Sequence, residues 1–465
     1  MSSALSTAPA EPSNKQQIPL AARLAAGIVG LSQADIAAQA GDKLKICLID
    51  FFACAFEAHS LPWARQAAAL ASPGAGPCTI VGTAIEAPAA DAAFANSVAG
   101  HGLVREDMHT GSVSHLGIVV LPPLLALAQG EKVDGPRFIA AAIVGYEVGG
   151  RIGRALVTPE FARSFRPTGF TGPLASAAAC SHLLGLGEDE TASALSLAAN
   201  MVGGLNQWPH TGADEMFFEA GLAARNGLTA ARLASLGAHG SARALDGEAG
   251  LLPAYRPDRA APDVPLFDGA AEILSVFFKP VPVCNFAQTP CLAAIALVRE
   301  QRIAPGEIRS VEVGVSRAAQ AYPGCDHAGP FARVLQAKMS IQYAVAAALL
   351  NGSVDETSYR RLDEAALMAL AAKVKVEARS EFTEAFPARQ GAEVTVHLSD
   401  GRVVSRTLPD VVPADIGLIR RRFHLAAAAT IGADAAKALE AAVDDLDHCD
   451  DIGALMRMTA APRHG

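Results

Sequence analysis

The sequence lacks a Cys-x-x-Cys motif, although it contains eight cysteines. Several of these, such as Cys54 and Cys180, stand within apolar helical patterns. A zinc or iron–sulfur site requires a tight cluster of ligands, so the spacing predicts no metal centre. Buried free thiols in a reducing compartment are the expected alternative.

The sequence also lacks any excess of positive charge. Its formal net charge is -9 at pH 7, and the acidic residues are spread without a long run of one sign. A protein that binds nucleic acid needs a basic face. The charge distribution therefore predicts no nucleic-acid partner.

No apolar run is long enough to cross a membrane. The most apolar one, residues 118–128, contains two prolines, and a span needs about 20 residues. Residues 1–17 lack the basic-then-apolar order of a signal peptide, and we expect them to form a disordered tail. These absences predict a cytoplasmic protein with no membrane partner.

Two catalytic motifs are absent as well. The glycines between Gly145 and Gly153 are not preceded by a strand, which a nucleotide-binding loop requires. Small residues for close helix packing are the simpler interpretation. There is no Gly-x-Ser-x-Gly elbow, so a Ser–His–Asp hydrolase is not expected.

What the sequence does contain is typical of a folded, largely helical chain. Hydrophobic residues make up 51% of its 465 residues and charged residues 18%, which disfavours disorder. Alanine is abundant and apolar positions recur at helical spacing. Alternation in residues 309–316, 373–377 and 393–404 predicts strands, the last with an Asp400-Gly401 hairpin turn.

The chain is too long for one compact core. We therefore predict a mainly α protein with two domains. A large all-helical domain would comprise residues 18–275 and 409–465, and a smaller α+β lid domain, residues 276–408, would be inserted between these parts.

Residues 101–122 form a polar segment between long apolar runs. Such a segment is either a solvated loop or the lining of a cavity. It holds three histidines, three charged residues and three hydroxyl side chains: His101, His109, His115, Arg105, Glu106, Asp107, Thr110, Ser112 and Ser114.

Five segments, in order along the chain, carry a resemblance to the MmgE/PrpD family. They are residues 91–127, the Gly-Tyr-Glu-Val-x-x-Arg motif at 145–151, residues 165–172, Phe278-Lys279-Pro-x-Pro282 and Ser340-Ile-Gln-Tyr343. The family includes 2-methylcitrate dehydratase, cis-aconitate decarboxylase and iminodisuccinate epimerase. The resemblance implies a helical domain with an α+β lid, a cleft between them and a homodimer. It also implies catalysis on polycarboxylates without a metal or organic cofactor.

The chain departs from the decarboxylase branch of that family at four places. Arg105-Glu106 stands where that branch has an acidic pair. Arg166 precedes Pro167 where that branch has a histidine, Met216 stands where it has a lysine, and Leu116 rather than proline follows His115. Lys279 and Tyr343 match. The departures point to a different carboxylate on the same scaffold.

The family reactions need a group that moves a proton beside a carboxylate, and cations that hold carboxylates. Histidine suits the first role, and arginine and lysine suit the second. We predict three catalytic residues: His115, His109 and Asp107. The predicted substrate-binding residues are Lys279, Arg166, Tyr343, Arg105, His101, Gln207 and His210.

Several of these residues also have a structural interpretation. His115 would cap the following helix, His109 would be solvated, and Glu106 and Asp107 would be surface charges. Lys279 would only extend its amine to solvent, and Tyr343 would be a core residue.

The sequence therefore predicts a cofactor-independent lyase, a hydratase or dehydratase acting on a small polycarboxylate such as a 2-methylcitrate-like acid. Alternatives are an epimerase of an iminodisuccinate-like dicarboxylate, a cis-aconitate-type decarboxylase, and an inactive relative that binds a carboxylate.

Overall fold

The computed structural model describes residues 18–32, 36–256 and 263–462. The predicted disordered tail, residues 1–17, lies outside this range. The described chain is mainly helical and has a small sheet in its C-terminal region. The predicted fold class is therefore confirmed.

The described part of the chain contains 21 α-helices. In chain order they are α1 (Leu20–Gly30), α2 (Ala38–Ala58), α3 (Pro62–Leu70), α4 (Ala89–His101), α5 (Gly117–Gly130), α6 (Gly135–Leu156), α7 (Pro159–Ser164), α8 (Pro167–Leu184), α9 (Glu188–Ala199), α10 (Trp208–Thr211), α11 (Glu215–Ser235), α12 (Leu251–Tyr255), α13 (Gln288–Gln301), α14 (Arg317–Ala321), α15 (Val334–Met339), α16 (Ile341–Asn351), α17 (Ala365–Ala371), α18 (Ser380–Ala385), α19 (Ile416–Ile431), α20 (Ala433–Asp444) and α21 (Ile452–Arg457).

The first four described strands have two residues each, and the last four have five to eight. They are β1 (Cys78–Thr79), β2 (Glu86–Ala87), β3 (Met108–His109), β4 (Val276–Phe277), β5 (Ile308–Val315), β6 (Val374–Ala378), β7 (Ala392–Leu398) and β8 (Val403–Leu408).

Helix α8 lies at the centre of the helical body and packs against both α6 and α11. Its alanines and glycines let the neighbouring backbones approach closely. The hydroxyl of Ser176 on α8 donates to the carbonyl oxygen of Ala224 on α11 at 2.8 Å. Burial of this alanine-rich surface is the main source of stability in such a body.

The four-stranded sheet has the order β6-β5-β7-β8. Strand β5 is parallel to β6 and antiparallel to β7. Strands β7 and β8 form the predicted hairpin, and Gly401 in its turn has a positive φ of 92°. In β7, Val394 and Val396 are buried while the residues between them are partly exposed, as the alternating pattern predicted.

A two-residue antiparallel pairing joins the polar segment to a distant part of the chain. Met108 and His109 of β3 lie opposite Phe277 and Val276 of β4. Further on, α19 packs against α2 and α21 packs against α5. On this packing we propose that residues 409–462 belong to the helical domain and residues 276–408 form the lid.

Candidate active site

A small cavity lies between the polar segment and the residues that follow β4. One part of its wall is apolar and another carries polar or ionisable groups. The lining residues are Val104, Met108, Val113, His115, Arg166, Trp208, Met216, Lys279, Cys284, Asn285, Phe286, Tyr322 and Met339. Among the predicted site residues, the structure thus brings His115, Arg166 and Lys279 to one cavity.

His115 stands just before α5 and is held through one ring nitrogen. Its Nδ1 lies 2.6 Å from Glu106 Oε1 and 3.2 Å from the backbone oxygen of Asp107. Both neighbours are acceptors, so we assign the proton of the neutral ring to Nδ1. Nε2 makes no hydrogen bond to any residue that the structure describes, and its lone pair is left for a molecule in the cavity.

Glu106 connects His115 to Arg166 through a second histidine. His101 Nδ1 lies 2.5 Å from the same oxygen, Glu106 Oε1, and a guanidinium nitrogen of Arg166 lies 3.1 Å from His101 Nε2. Because arginine can only donate, His101 Nε2 accepts and its Nδ1 carries the proton. These contacts fix the orientation of the His115 imidazole relative to the Arg166 guanidinium.

Burial sets the protonation states in this group. Burial, reinforced by the charge of Lys279, lowers the pKa of His115 to about 3. Burial opposes ionisation of Glu106, but His101 and His115 outweigh it and hold the pKa of the carboxyl well below its usual range. The site therefore presents a neutral imidazole supported by a carboxylate near neutral pH.

Two fully buried lysines of the lid hold a strained turn of the polar segment. Val104 has a positive φ of 59°, a conformation that is uncommon for a β-branched residue. Lys279 Nζ donates to the carbonyl oxygen of Val104 at 3.1 Å, and Lys338 Nζ donates to that of Leu103 at 2.8 Å. Lys338 is also paired with Glu356.

The cavity wall offers several groups to an anion. The guanidinium of Arg166 lies 5.5 Å from the ring centroid of Trp208, and Arg166 and Lys279 are 6% and 0% exposed. The buried Trp208 Nε1 has no hydrogen-bond acceptor among the described residues. A charge-assisted contact is strong in such a setting.

A larger outer cleft adjoins the cavity. Val113, Phe286 and Tyr322 line both spaces. Arg163 and Arg317 are exposed on the walls of the cleft. This cleft therefore gives a route from solvent along which positive charge attracts an anion.

Asp107 is buried beside the cavity but does not line it. Its carboxylate accepts from the hydroxyl of Tyr146 at 2.6 Å and from the backbone N–H of Gly117 at 3.1 Å. A side chain at position 117 would collide with that carboxylate, so the start of α5 requires glycine. Burial raises the pKa of Asp107 to about 6, although the hydrogen bond from Tyr146 opposes the shift.

His109, a predicted catalytic residue, is not among the residues that line the cavity. Its Nδ1 lies 2.8 Å from the hydroxyl oxygen of Ser112, and its Nε2 lies 2.7 Å from Glu272 Oε2. Arg154 also binds Glu272. Both ring nitrogens are thus engaged where β3 meets β4.

Five predicted substrate-binding residues do not line the cavity. One is His101, which contacts Glu106 and Arg166. Arg105 is buried and pairs with Glu57 at 2.6 Å. The hydroxyl of Tyr343 donates to the backbone oxygen of Ser358 at 2.6 Å. Two further residues are exposed: Gln207 and His210.

Sequence reasoning missed several parts of the site. The sequence interpretation of Glu106 is a surface charge, yet the residue is 1% exposed and contacts both histidines. Asn285 and Tyr322 belong to no motif that singles them out. The order Glu106-Asp107 within a histidine-rich segment is the one signal that favoured a buried carboxylate.

His101, Glu106 and His115 also form the one group in the described chain with three atoms suited to a metal. Their geometry fits hydrogen bonds better. Each Nδ1 is within 2.6 Å of the same oxygen, whereas nitrogen and oxygen ligands about 2.0–2.2 Å from one zinc are separated by roughly 3 Å or more. The guanidinium of Arg166 beside His101 would also repel a cation.

All eight cysteines are free, and seven of them are buried, as the sequence predicted. Cys284 lines the cavity, and its Sγ is 3.7 Å from Cys325 Sγ. No helix in the described chain has both the length and the apolar character needed to cross a membrane.

Sequence comparisons decide the family. The profile of the MmgE/PrpD N-terminal domain matches residues 22–262, and that of the MmgE/PrpD C-terminal domain matches residues 281–448. The chain belongs to the MmgE/PrpD family. The predicted resemblance is therefore confirmed.

Several relatives of this MmgE/PrpD protein have names that state an activity. It is 28% identical to a cis-aconitate decarboxylase-like protein of Aspergillus oryzae, over 94% of the chain and 96% of the relative. It is 25% identical to a cis-aconitate decarboxylase of Aspergillus terreus, over 93% and 94% of the two chains. A cis-aconitate decarboxylase of Mus musculus is 27% identical over 81% of the chain and 79% of the relative.

These relatives confirm the prediction that the MmgE/PrpD protein is an enzyme of the lyase type. Its cytoplasmic location and its assembly as a homodimer stay predictions. The roles of the individual site residues are proposals, and they are argued below from the cavity.

Proposed function

We propose that the protein is a lyase acting on a small polycarboxylate, with His115 as the group that moves a proton at a carbon beside a carboxylate. One observation carries this proposal. Glu106 holds His115 through Nδ1, so the lone pair of Nε2 is presented in a cavity that Lys279 and Arg166 also line. A base and two cations at one cavity are what the chemistry requires.

In the proposed reaction, Lys279 and Arg166 bind carboxylates of the substrate. His115 Nε2 takes the proton from the carbon next to one of them, and the cations stabilise the enolate-like charge that develops. The electrons of the broken C–H bond form a carbon–carbon double bond. The hydroxyl on the neighbouring carbon leaves as water by taking the proton that His115 Nε2 has accepted, which returns the imidazole to its neutral form. Side chains complete this chemistry, so the proposal includes no metal or organic cofactor.

Within the lyase class we favour a hydratase or dehydratase. His115 is neutral near neutral pH, and the neutral imidazole is the form that accepts a proton. Decarboxylation instead requires an acid that delivers a proton to carbon. Met216 and Arg166 line the cavity, and at these positions the chain departs from the decarboxylase branch.

A cis-aconitate-type decarboxylase is the second candidate, because the relatives carry that name. An epimerase would use the same base without loss of a group.

The test is NMR of di- and tricarboxylates, with and without a hydroxyl, incubated with the purified protein in deuterated buffer without added metal. We expect a hydroxy acid to lose water, or its unsaturated partner to gain it. Release of carbon dioxide would support the decarboxylase instead, and deuterium entry with inversion but no loss would support the epimerase. Unchanged acids across the whole panel would contradict a lyase.

A further inference from the structure

Asn285 lines the same cavity, and neither the motifs nor the proposed proton transfer gives it a role. It begins the 3₁₀ turn Asn285–Ala287, six residues after Lys279. The residue lines the cavity and is only 5% exposed.

The orientation of its amide follows from a partner that is itself fixed. Gln390 Nε2 donates to the backbone oxygen of Asn285 at 2.8 Å, so the other atom of that amide, Gln390 Oε1, is an acceptor. Asn285 Nδ2 therefore donates to it at 2.9 Å. Thr289 and Asp410 hold the backbone of Gln390. The atom left over on the side chain of Asn285 is its oxygen, Oδ1.

Asn285 Oδ1 is buried and makes no hydrogen bond within the part of the chain that the structure describes. A buried carbonyl oxygen without a donor is costly, and such groups are rare in folded proteins. A site where a ligand supplies the missing donor accounts for an oxygen left in this state.

The chemistry of that oxygen differs from that of its neighbours. Lys279 and Arg166 donate hydrogen bonds and suit carboxylates, which only accept at neutral pH. A carbonyl oxygen repels a carboxylate and needs a donor. An ammonium donor is disfavoured next to two cations, so a neutral hydroxyl is the group that fits.

We propose that Asn285 Oδ1 accepts a hydrogen bond from a hydroxyl of the substrate, so that the site selects a hydroxy-polycarboxylate over the same acid without the hydroxyl. This inference rests on the proposed function and deepens it by naming the substrate class. Asparagine has no proton to give at Oδ1, so it positions the hydroxyl and is not the acid that protonates it.

Two pairs of acids that differ only in a hydroxyl test this role: citrate with propane-1,2,3-tricarboxylate, and malate with succinate. Dissociation constants are measured by calorimetry, and any acid that the wild type converts is measured with His115→Gln added. We expect the wild type to bind the hydroxy member of at least one pair about tenfold more tightly or better, the effect of one hydrogen bond to a neutral group.

Substitutions at Asn285 distinguish the effect of losing the hydrogen-bond acceptor from the effect of changing the shape of the cavity. Asn285→Leu, which is nearly isosteric, should bring the ratio of the two dissociation constants close to one. Asn285→Ala serves if the leucine variant does not fold. Asn285→Asp keeps an acceptor oxygen, so it should weaken binding of both anions but retain the preference. Met216→Leu alters the apolar wall and should also retain it.

The outcomes are distinct. If the wild type binds none of the four acids, the polycarboxylate site is wrong and the role of Asn285 fails with it. If the acids bind without preference for the hydroxyl, or if the preference survives Asn285→Leu, the role of Asn285 is overturned while the proposed function stands.

Discussion

Two histidines of the polar segment are both buried beside a glutamate, but their ring nitrogens are used differently. His109 contacts Ser112 through Nδ1 and Glu272 through Nε2. His115 lies against Glu106 through Nδ1 only, and Nε2 has no hydrogen-bond partner in the described chain. A buried histidine–glutamate pair therefore does not by itself indicate catalysis. The feature that supports the proposed role of His115 is a ring nitrogen without a hydrogen-bond partner in a residue that lines a cavity.

Glu272 and Glu106 also differ in how many side chains contact them. Glu272 is contacted by Arg151 at 3.1 Å and by Arg154 at 3.0 Å as well as by His109, and this network fastens β3 to the segment before β4. Glu106 meets only the two histidines, and its Oε2 is buried without a partner among the described residues. The first pair connects parts of the fold, and the second orients an imidazole.

The largest difference is expected between Glu106→Gln and Glu272→Gln. The amide of glutamine donates as well as accepts, so Glu106→Gln should disturb the orientation of His115 and lower kcat about 10- to 100-fold, as loss of a supporting partner typically does. Glu272→Gln should leave kcat within about threefold but destabilise the fold by about 1–3 kcal/mol, because it weakens a buried network. Steady-state kinetics and thermal unfolding measure the two effects.

Equal loss of activity in both variants, or loss of activity only in Glu272→Gln, would contradict this difference between the two glutamates. If both variants lost stability equally and kept full activity, Glu106 would have only a structural role.

A smaller effect concerns the pH dependence of stability that His109 contributes. Burial lowers the pKa of His109 in the folded state, whereas in the unfolded chain it titrates near 6.5. As the pH falls below about 6.5 the unfolded state binds the proton first, so stability is lost on acidification. His109→Gln should make Tm less dependent on pH between about 7 and 5, measured against the wild type.

If the pH dependence of Tm is unchanged in His109→Gln, His109 is not a buried histidine that stays neutral in the folded state. His101 and His115 contribute in the same direction, so the dependence should shrink without vanishing.

Much of the fold could be predicted from the sequence because its helices are long and its larger strands alternate. The sheet region could be predicted from the alternating valines of β5 and β7 and from the glycine at the turn, Gly401. The pairing of β3 with β4 could not be predicted, because strands of two residues have no period and lie far apart along the chain.

The site was predicted in part for similar reasons. Lys279, between phenylalanine and proline, lies in the cavity together with His115 and Arg166, as expected for an anion site. His109 could not be distinguished from His115, since the difference depends on Glu272, which is 163 residues away. Asn285 left no signal, because its unpaired oxygen results from the geometry of Gln390.

Proton exchange at the substrate carbon tests the central claim most directly. The wild type, His115→Gln and His109→Gln would be incubated with the converted carboxylate in deuterated buffer, and entry of deuterium next to the carboxylate followed by NMR. We predict that exchange falls about 10²- to 10⁴-fold in His115→Gln, the usual contribution of an acid–base group, and stays near the wild-type rate in folded His109→Gln. Exchange that persists in folded His115→Gln, or that is lost only in His109→Gln, would contradict the assignment of His115.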